Sequence, residues 1–238
     1  MTFFNTCLLF STLKAFVHCF YECFFIGGGA FFIHYTIVLL DPDSPHQSLF
    51  KCHKRDEMTF IAKTFYDLRA TTLEGDSLDF NVFRGRVVLI ENVASELNQL
   101  QSKYPHRLVV LGFPCNQFGY QENCTNSEIL NSLQHVRPGG GFQPGFTIFE
   151  KCDVNGTNTH PVFAYLKDKL PYPDDDPNSL MQDPKFLVWS PINRTDISWN
   201  FEKFLIGPEG EPFKRYSKKF PTIDIEPDIQ RLLRLTKT

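Results

Sequence analysis

The chain has 238 residues, 42% of them hydrophobic and 21% charged, which is typical of a globular protein and argues against disorder. The formal net charge is −3 and charges of both signs are interspersed, so the sequence lacks the basic footprint of a nucleic-acid-binding protein. Its seven cysteines are odd in number and form no CxxC pair, which argues against a disulfide framework or a zinc knuckle and favours a reducing compartment.

Residues 1–57 are rich in Phe and differ in composition from the rest of the chain. Polar residues and glycines divide this segment into apolar pieces that are each too short to span a membrane. The interruptions are Lys14, His18, Glu22, residues 27–29 and His34. We expect this extension to lie outside the working domain, residues 58–238, with Met58 as its start; a membrane anchor is the alternative.

The first elements after Met58 are a hairpin and a strand–helix–strand unit. Residues 65–80 alternate apolar and polar side chains around a polar turn, which predicts the hairpin. Residues 87–93 and 107–114 are short apolar runs, and residues 96–104 between them have the pattern of an amphipathic helix. Strands joined through a helix are parallel, so we expect these two strands to run parallel in one sheet.

Two more helices and a strand are predicted next. Thr125 or Asn126 can cap a helix, with Glu128 placed to complete a capping box. Residues 146–151 are a strand candidate, and Thr159 is a possible N-cap for the following helix. Phe163, Leu166 and Leu170 lie on one face of that helix.

The C-terminal part contains a second hairpin and a last helix. Residues 199–217 read as two strands around a tight turn at 208–210. The pattern over residues 227–235 predicts a helix that buries Ile229, Leu232 and Leu233. The complete order of elements predicts an α/β fold with a mixed sheet flanked by helices on both faces.

The join between residues 87–93 and the next helix is unusually abrupt. Open α/β sheets carry their reactive groups in the loop that follows the carboxyl end of a strand. Here the strand reaches its helix through little more than Ser95, so the sequence leaves no room for such a group.

Several motifs go beyond pattern and resemble one family. They are GRVVLIENVAS, LGFPCNQFGYQEN, VRPGGG, HPVFAYLKDKLPYP and WNFEKFLIGPEGEPFKRY. From Met58 almost to the C-terminus, the chain resembles the vertebrate glutathione peroxidases, especially the cytosolic, selenium-dependent, gastrointestinal type. The resemblance implies a thioredoxin-like fold and reduction of hydrogen peroxide and organic hydroperoxides by glutathione, the co-substrate, without a metal or other cofactor. It also implies a cytoplasmic homo-oligomer, a tetramer, with no nucleic-acid or membrane partner.

The resemblance also explains the abrupt join. In this family the NVAS segment leads into a loop with a selenocysteine, and that loop is absent here between Ser95 and Glu96. A gene prediction that skips the selenocysteine codon would produce this junction, and so would a genuine splice variant. We therefore expect the chain as written to lack the catalytic nucleophile.

By resemblance, Gln117, Trp199 and Asn200 are the catalytic N–H donors around the missing nucleophile. Residue type alone would make Gln117 a surface amide and Trp199 a core aromatic. The arginines Arg137 and Arg194 match positions expected to bind the carboxylates of glutathione. Without the resemblance, Arg137 reads equally well as a solvated charge.

Two further interpretations remain open. Residues 170–180 resemble the assembly loop of the tetrameric members, so the chain is alternatively an inactive subunit that acts through assembly. Cys115 follows a strand, where a helix N-terminus would lower its pKa and make it a substitute nucleophile or redox sensor. A Cys in such a position is more often a small buried residue.

Overall fold

A computed structural model describes residues 16–26, 30–40, 62–92, 97–181 and 183–235. The chain divides into two units, Met1–Ile61 and Ala62–Thr238. The expected start of the working domain, Met58, and the Ser95–Glu96 junction both lie outside the described residues. Within the described ranges, no helix has the length and apolar character needed to cross a membrane.

The first unit contains two strands that form one antiparallel pair. These are β1 (Phe16–Ile26) and β2 (Ala30–Leu40). Phe16 pairs with Leu40 at one end and Ile26 with Ala30 at the other, so the two strands match over their full length.

The second unit combines a small hairpin, a five-stranded sheet and helices. Its strands are β3 (Arg69–Thr71), β4 (Ser77–Asp79), β5 (Val87–Glu91), β6 (Leu108–Gly112), β7 (Thr147–Ile148), β8 (Lys203–Ile206) and β9 (Pro212–Tyr216). Its α-helices are α1 (Leu97–Lys103), α2 (Asn126–His135), α3 (Pro161–Lys169) and α4 (Glu226–Leu233), and short 3-10 helices cover Phe65–Asp67, Phe80–Phe83, Pro184–Phe186 and Thr222–Ile225.

The main sheet has the order β7-β6-β5-β8-β9. β5 and β6 are parallel, as predicted, whereas β8 pairs antiparallel with both β5 and β9. The predicted hairpins are confirmed as β3–β4 and β8–β9. The mixed α/β fold expected from the order of elements is therefore confirmed.

Every residue of β5 and β6 is buried, so both faces of the sheet are covered. On one face, Val88 and Ile90 belong to a core that includes Phe163 and Leu166 of α3. On the other face, Val87 and Leu89 belong to a second core. That second core includes Leu100 of α1 and Ile229, Leu232 and Leu233 of α4, as predicted for the last helix.

Helix starts agree with the sequence prediction in one case and differ in another. Thr125 caps α2 in a capping box, and its backbone N–H donates to Glu128 Oε2 at 2.9 Å. The prediction of Thr159 as the cap of α3 is wrong. His160 is the cap, because Pro161 occupies the start of the helix and the Thr159 hydroxyl donates instead to the Gly156 carbonyl at 2.7 Å.

The loop over residues 170–180 is held by its own chain. The backbone N–H of Asp174 donates to the Arg215 carbonyl at 2.8 Å. Asp175 accepts from the Ser217 N–H at 2.8 Å and from its hydroxyl at 2.6 Å. These contacts give the loop an intramolecular role whether or not it also meets another subunit.

Candidate active site

The candidate site lies at the carboxyl ends of the parallel strands β5 and β6. Asn92 follows β5 directly, and the segment that contains Cys115 and Gln117 follows β6. Because parallel strands end at the same edge of a sheet, the residues after them lie close together. The WNF motif reaches this edge from the antiparallel neighbour, β8.

Asn92 attaches the WNF motif to the end of β5. Its amide Nδ2 donates to the Trp199 carbonyl at 3.2 Å, and its Oδ1 accepts from the Glu202 N–H at 2.9 Å. The Asn92 carbonyl also accepts the Phe201 N–H at 3.0 Å. Phe201 has φ = 70°, an uncommon value for an aromatic residue, and these bonds help to hold that backbone conformation.

Gln117 is buried, but its side-chain amide is committed to neighbouring backbone. Oε1 accepts from the N–H groups of Val154 and Asn155, each at 3.0 Å. Nε2 donates to the Asn155 carbonyl at 2.9 Å. In this conformation Gln117 orders the segment next to the site, and one of the two N–H groups of its amide is committed to Asn155.

Trp199 packs among aromatic rings at the same edge. Its ring centroid lies 5.1 Å from that of Phe186 and 5.7 Å from that of Phe118, the residue after Gln117. Gly119 has φ = +63°, and an added Cβ there would lie 3.3 Å from the indole ring. A glycine therefore suits both the backbone turn and the close approach of Trp199.

Asn200 is 2% exposed and borders a surface cleft of about 310 Å³. Its Nδ2 donates to Gln121 Oε1 at 3.0 Å, whereas its Oδ1 accepts no hydrogen bond from the described residues. The cleft is also lined by Gln121, Glu122, Cys124, Arg137 and Phe201. We call it the Asn200 cleft.

The two arginines expected to bind glutathione occupy different environments. Arg137 lines the Asn200 cleft and therefore places a cation at its wall. Arg194 donates through Nη2 to the Pro177 carbonyl at 2.6 Å and stacks over the Tyr172 ring. The structure thus brings Arg137 and Asn200 together, while Arg194 is not among the residues that line the cleft.

Cys115 does not have the environment of a reactive thiol. It is fully buried, and its Sγ lies 3.7 Å from Gln117 Oε1. Desolvation raises the pKa of this thiol to about 11, the opposite of the lowering expected for a substitute nucleophile. The structure favours the alternative interpretation, a small buried residue.

Sequence reasoning missed the side chains that hold the site. Glu202 and Arg215 are buried and paired, with 2.8 Å between Nε and Oε2. Lys167 contacts Asp196 at 3.4 Å, and burial lowers the pKa of the Lys167 ammonium despite this partner. Charged residues inside otherwise apolar helix and strand patterns are the signal that would have indicated them.

The mixed sheet, the helices on both faces and the polar groups at the ends of β5 and β6 define a thioredoxin-like α/β protein. A family model described as glutathione peroxidase matches residues 65–167. Glutathione peroxidase 2 of Homo sapiens and that of Mus musculus are each 69% identical over 188 residues, which cover 75% of this chain and 99% of each relative. The solved structure described as Trgpx in apo form aligns with a TM-score of 0.51 and 25% identity, covering 74% of this chain and all of that one.

These similarities cover nearly the full length of the relatives. The chain therefore belongs to the glutathione peroxidase family.

Proposed function

We propose that the protein derives from an enzyme that reduces hydrogen peroxide and organic hydroperoxides with glutathione, and that the chain as written lacks the nucleophile for this reaction. The observation that supports the lack of a nucleophile is the short connection between β5 and α1. Only residues 92–96 separate Glu91 from Leu97. Asn92 is already committed to the WNF motif, which leaves little chain for a reactive loop.

The alignment with the human relative supports a deletion. The alignment is 188 residues long. The part of this chain that it covers is 75% of 238 residues, which is shorter than 188 residues. Some positions of the relative therefore have no counterpart here. The abrupt join after Ser95 is where we propose that they are missing.

The chemistry shows why such a deletion removes activity. A thiolate or selenolate attacks one peroxide oxygen, becomes a sulfenic or selenenic acid, and is then reduced by two thiols in turn. Trp199 and Asn200 would stabilise this nucleophile, together with the second N–H group of the Gln117 amide. Donors without a nucleophile stabilise nothing that reacts.

Peroxidase assays test this proposal. The recombinant chain should show no glutathione-dependent hydroperoxide reduction above background. Inserting the family's loop after Ser95, with Cys in place of selenocysteine, should restore measurable but slow turnover, because a thiol is less ionised at neutral pH. The same insertion with Ser at that position is the matched control and should remain inactive. Substantial turnover by the chain as written would contradict the proposal.

Our proposal includes a working domain of residues 58–238 in the cytoplasm. Its support is the division of the chain into two compact units after Ile61 and the interrupted apolar pattern of residues 1–57. Mass spectrometry of fractionated cells tests both points. Peptides from residues 1–57 recovered in a membrane fraction would contradict them.

A further inference from the structure

Cys124 is the cysteine that lines the Asn200 cleft. It is partly exposed, whereas Cys115 is fully buried. Burial also raises the pKa of the Cys152 thiol, and Cys152 lies outside this cleft. Among these three cysteines of the second unit, Cys124 is therefore the one in contact with the candidate binding site.

Charged residues lie close to Cys124. The Glu122 carboxylate also lines the cleft. Lys151 Nζ donates to the carbonyls of Glu122 at 3.1 Å and of Cys124 at 2.6 Å, which places a cation beside both residues. Desolvation raises the pKa of the Glu122 carboxyl, which makes it a better proton acceptor, and the charges of Lys151 and Arg137 oppose that shift.

An unpaired polar atom at the same cleft indicates a ligand. Asn200 is 2% exposed, and its Oδ1 accepts no hydrogen bond among the described residues. A buried acceptor without a donor destabilises the protein. An N–H group of a ligand in the cleft would remove this cost.

We propose that Cys124 is a site at which oxidised glutathione forms a mixed disulfide with this protein. The inference rests on the proposed use of glutathione by the family site. Arg137 would bind a carboxylate of the tripeptide, and Asn200 Oδ1 would accept one of its N–H groups. The cleft volume of about 310 Å³ lies at the lower end of small-molecule sites, which are about 300–1,000 Å³.

The reaction is a thiol–disulfide exchange without net oxidation. The thiol proton of Cys124 passes to the Glu122 carboxylate, and the thiolate attacks one sulfur of oxidised glutathione. The bond between Cys124 and that sulfur forms as the original disulfide breaks. The second glutathione leaves as a thiolate and takes up a proton, so one disulfide replaces another.

Site-resolved mass spectrometry of the full chain tests the proposal. The protein is incubated with oxidised glutathione, digested without reductant and fragmented so that Cys115 and Cys124 are distinguished. The adduct should form on Cys124 faster than on Cys115 or Cys152, and Cys124→Ser should abolish it there. Adduct formation on all three at equal rates, or none on Cys124, would overturn the proposal.

A charge-neutralised variant tests recognition of glutathione. Arg137→Gln should slow adduct formation about tenfold, the effect of losing one charge-assisted hydrogen bond. Arg234→Gln, an exposed arginine on the turn after α4, is the matched control. With the neutral disulfide of 2-mercaptoethanol, Arg137→Gln should react at the same rate as the unmodified chain. An Arg137→Gln rate with oxidised glutathione equal to that of Arg234→Gln would overturn recognition by Arg137.

The outcome is distinguishable from failure of the proposed function. Peroxidase activity in the Cys-restored chain with no adduct on Cys124 would overturn this inference alone. A Cys124 adduct that depends on Arg137, in a restored chain without peroxidase activity, would count against the proposed function alone.

Discussion

Arg215 is almost completely buried, and its guanidinium group holds the segment that carries Trp199 and Asn200. Nε and Nη2 both contact Glu202 Oε2, at 2.8 and 2.7 Å. The remaining N–H groups donate to the carbonyls of Leu170, Pro171, Thr195 and Asp196. Glu202 in turn accepts from the Ser198 N–H at 2.7 Å, so one ion pair orders the backbone on both sides of the WNF motif.

Replacing Arg215 by Lys should destabilise the protein by about 3 kcal/mol, because an ammonium group cannot replace the planar fork and leaves bonds to Glu202 Oε2 and to several carbonyls unmade. Urea unfolding followed by tryptophan fluorescence measures this change. Arg234→Lys, an exposed arginine, is the control and should leave the free energy of unfolding unchanged. A loss below about 1 kcal/mol for Arg215→Lys would contradict this account.

Secondary-structure elements differ in how completely they are anchored. α2 has ten residues and a capping box, whereas α1 has seven residues and contributes the buried Leu100 to the core under β5. Isolated helices this short are unstable, so α1 depends on its packing against the sheet.

Thr125→Ala should lower the free energy of unfolding by about 1 kcal/mol, the usual cost of losing an N-cap. Asn131→Ala, at an exposed position within α2, should not lower it.

The bond to the Thr125 N–H lowers the pKa of the Glu128 carboxyl from 4.5. The contribution of the Glu128 carboxylate to the free energy of unfolding is therefore complete above pH 4.5 and is lost as the pH falls through its pKa in the folded state. The free energy of unfolding of Glu128→Gln should therefore depend less on pH in the acid range.

Restoring the family's loop after Ser95 should stabilise the fold as well as supply a nucleophile. A longer connection and helix would bury more apolar surface against the sheet. The inactive Ser-containing version isolates this effect. We expect it to unfold at a higher temperature than the chain as written, in differential scanning calorimetry. An equal or lower midpoint would show that α1 is already fully accommodated.

At the scale of the whole molecule, the expectation of a homo-oligomer depends on the loop over residues 170–180. Its contacts with Arg215 and Ser217 show that the loop also has a structural role within one chain. Several large apolar side chains nevertheless remain exposed in the second unit, among them Val136 and Ile192.

Analytical ultracentrifugation at micromolar concentration tests assembly. We expect a tetramer, as the family resemblance implies, and substitution of the loop by a shorter Gly/Ser linker should weaken it. A monomer for the unmodified chain would contradict the prediction. Circular dichroism of the linker variant serves as the control for folding, since the loop also contacts β9.

Local pattern determined much of the fold. Consecutive buried apolar residues predicted β5 and β6, turn residues predicted both hairpins, and the spacing of Thr125 and Glu128 predicted the cap of α2, because each depends on neighbours within a few positions. The boundaries were less accurate: the apolar run over 107–114 extends past the end of β6 at Gly112. The motifs identified the family, and through that resemblance they predicted Gln117, Trp199 and Asn200 as site residues.

Tertiary structure alone decided how these residues are used. The Gln117 amide binds the backbone of Asn155, and Asn200 and Arg137 line one cleft while Arg194 is not among its lining residues. Cys124, which has no catalytic motif around it, lines the same cleft. These arrangements join segments that are distant in the chain. The hydrogen bonds and the burial of these side chains depend on which backbone groups the fold brings close to them. No local sequence pattern contains that information.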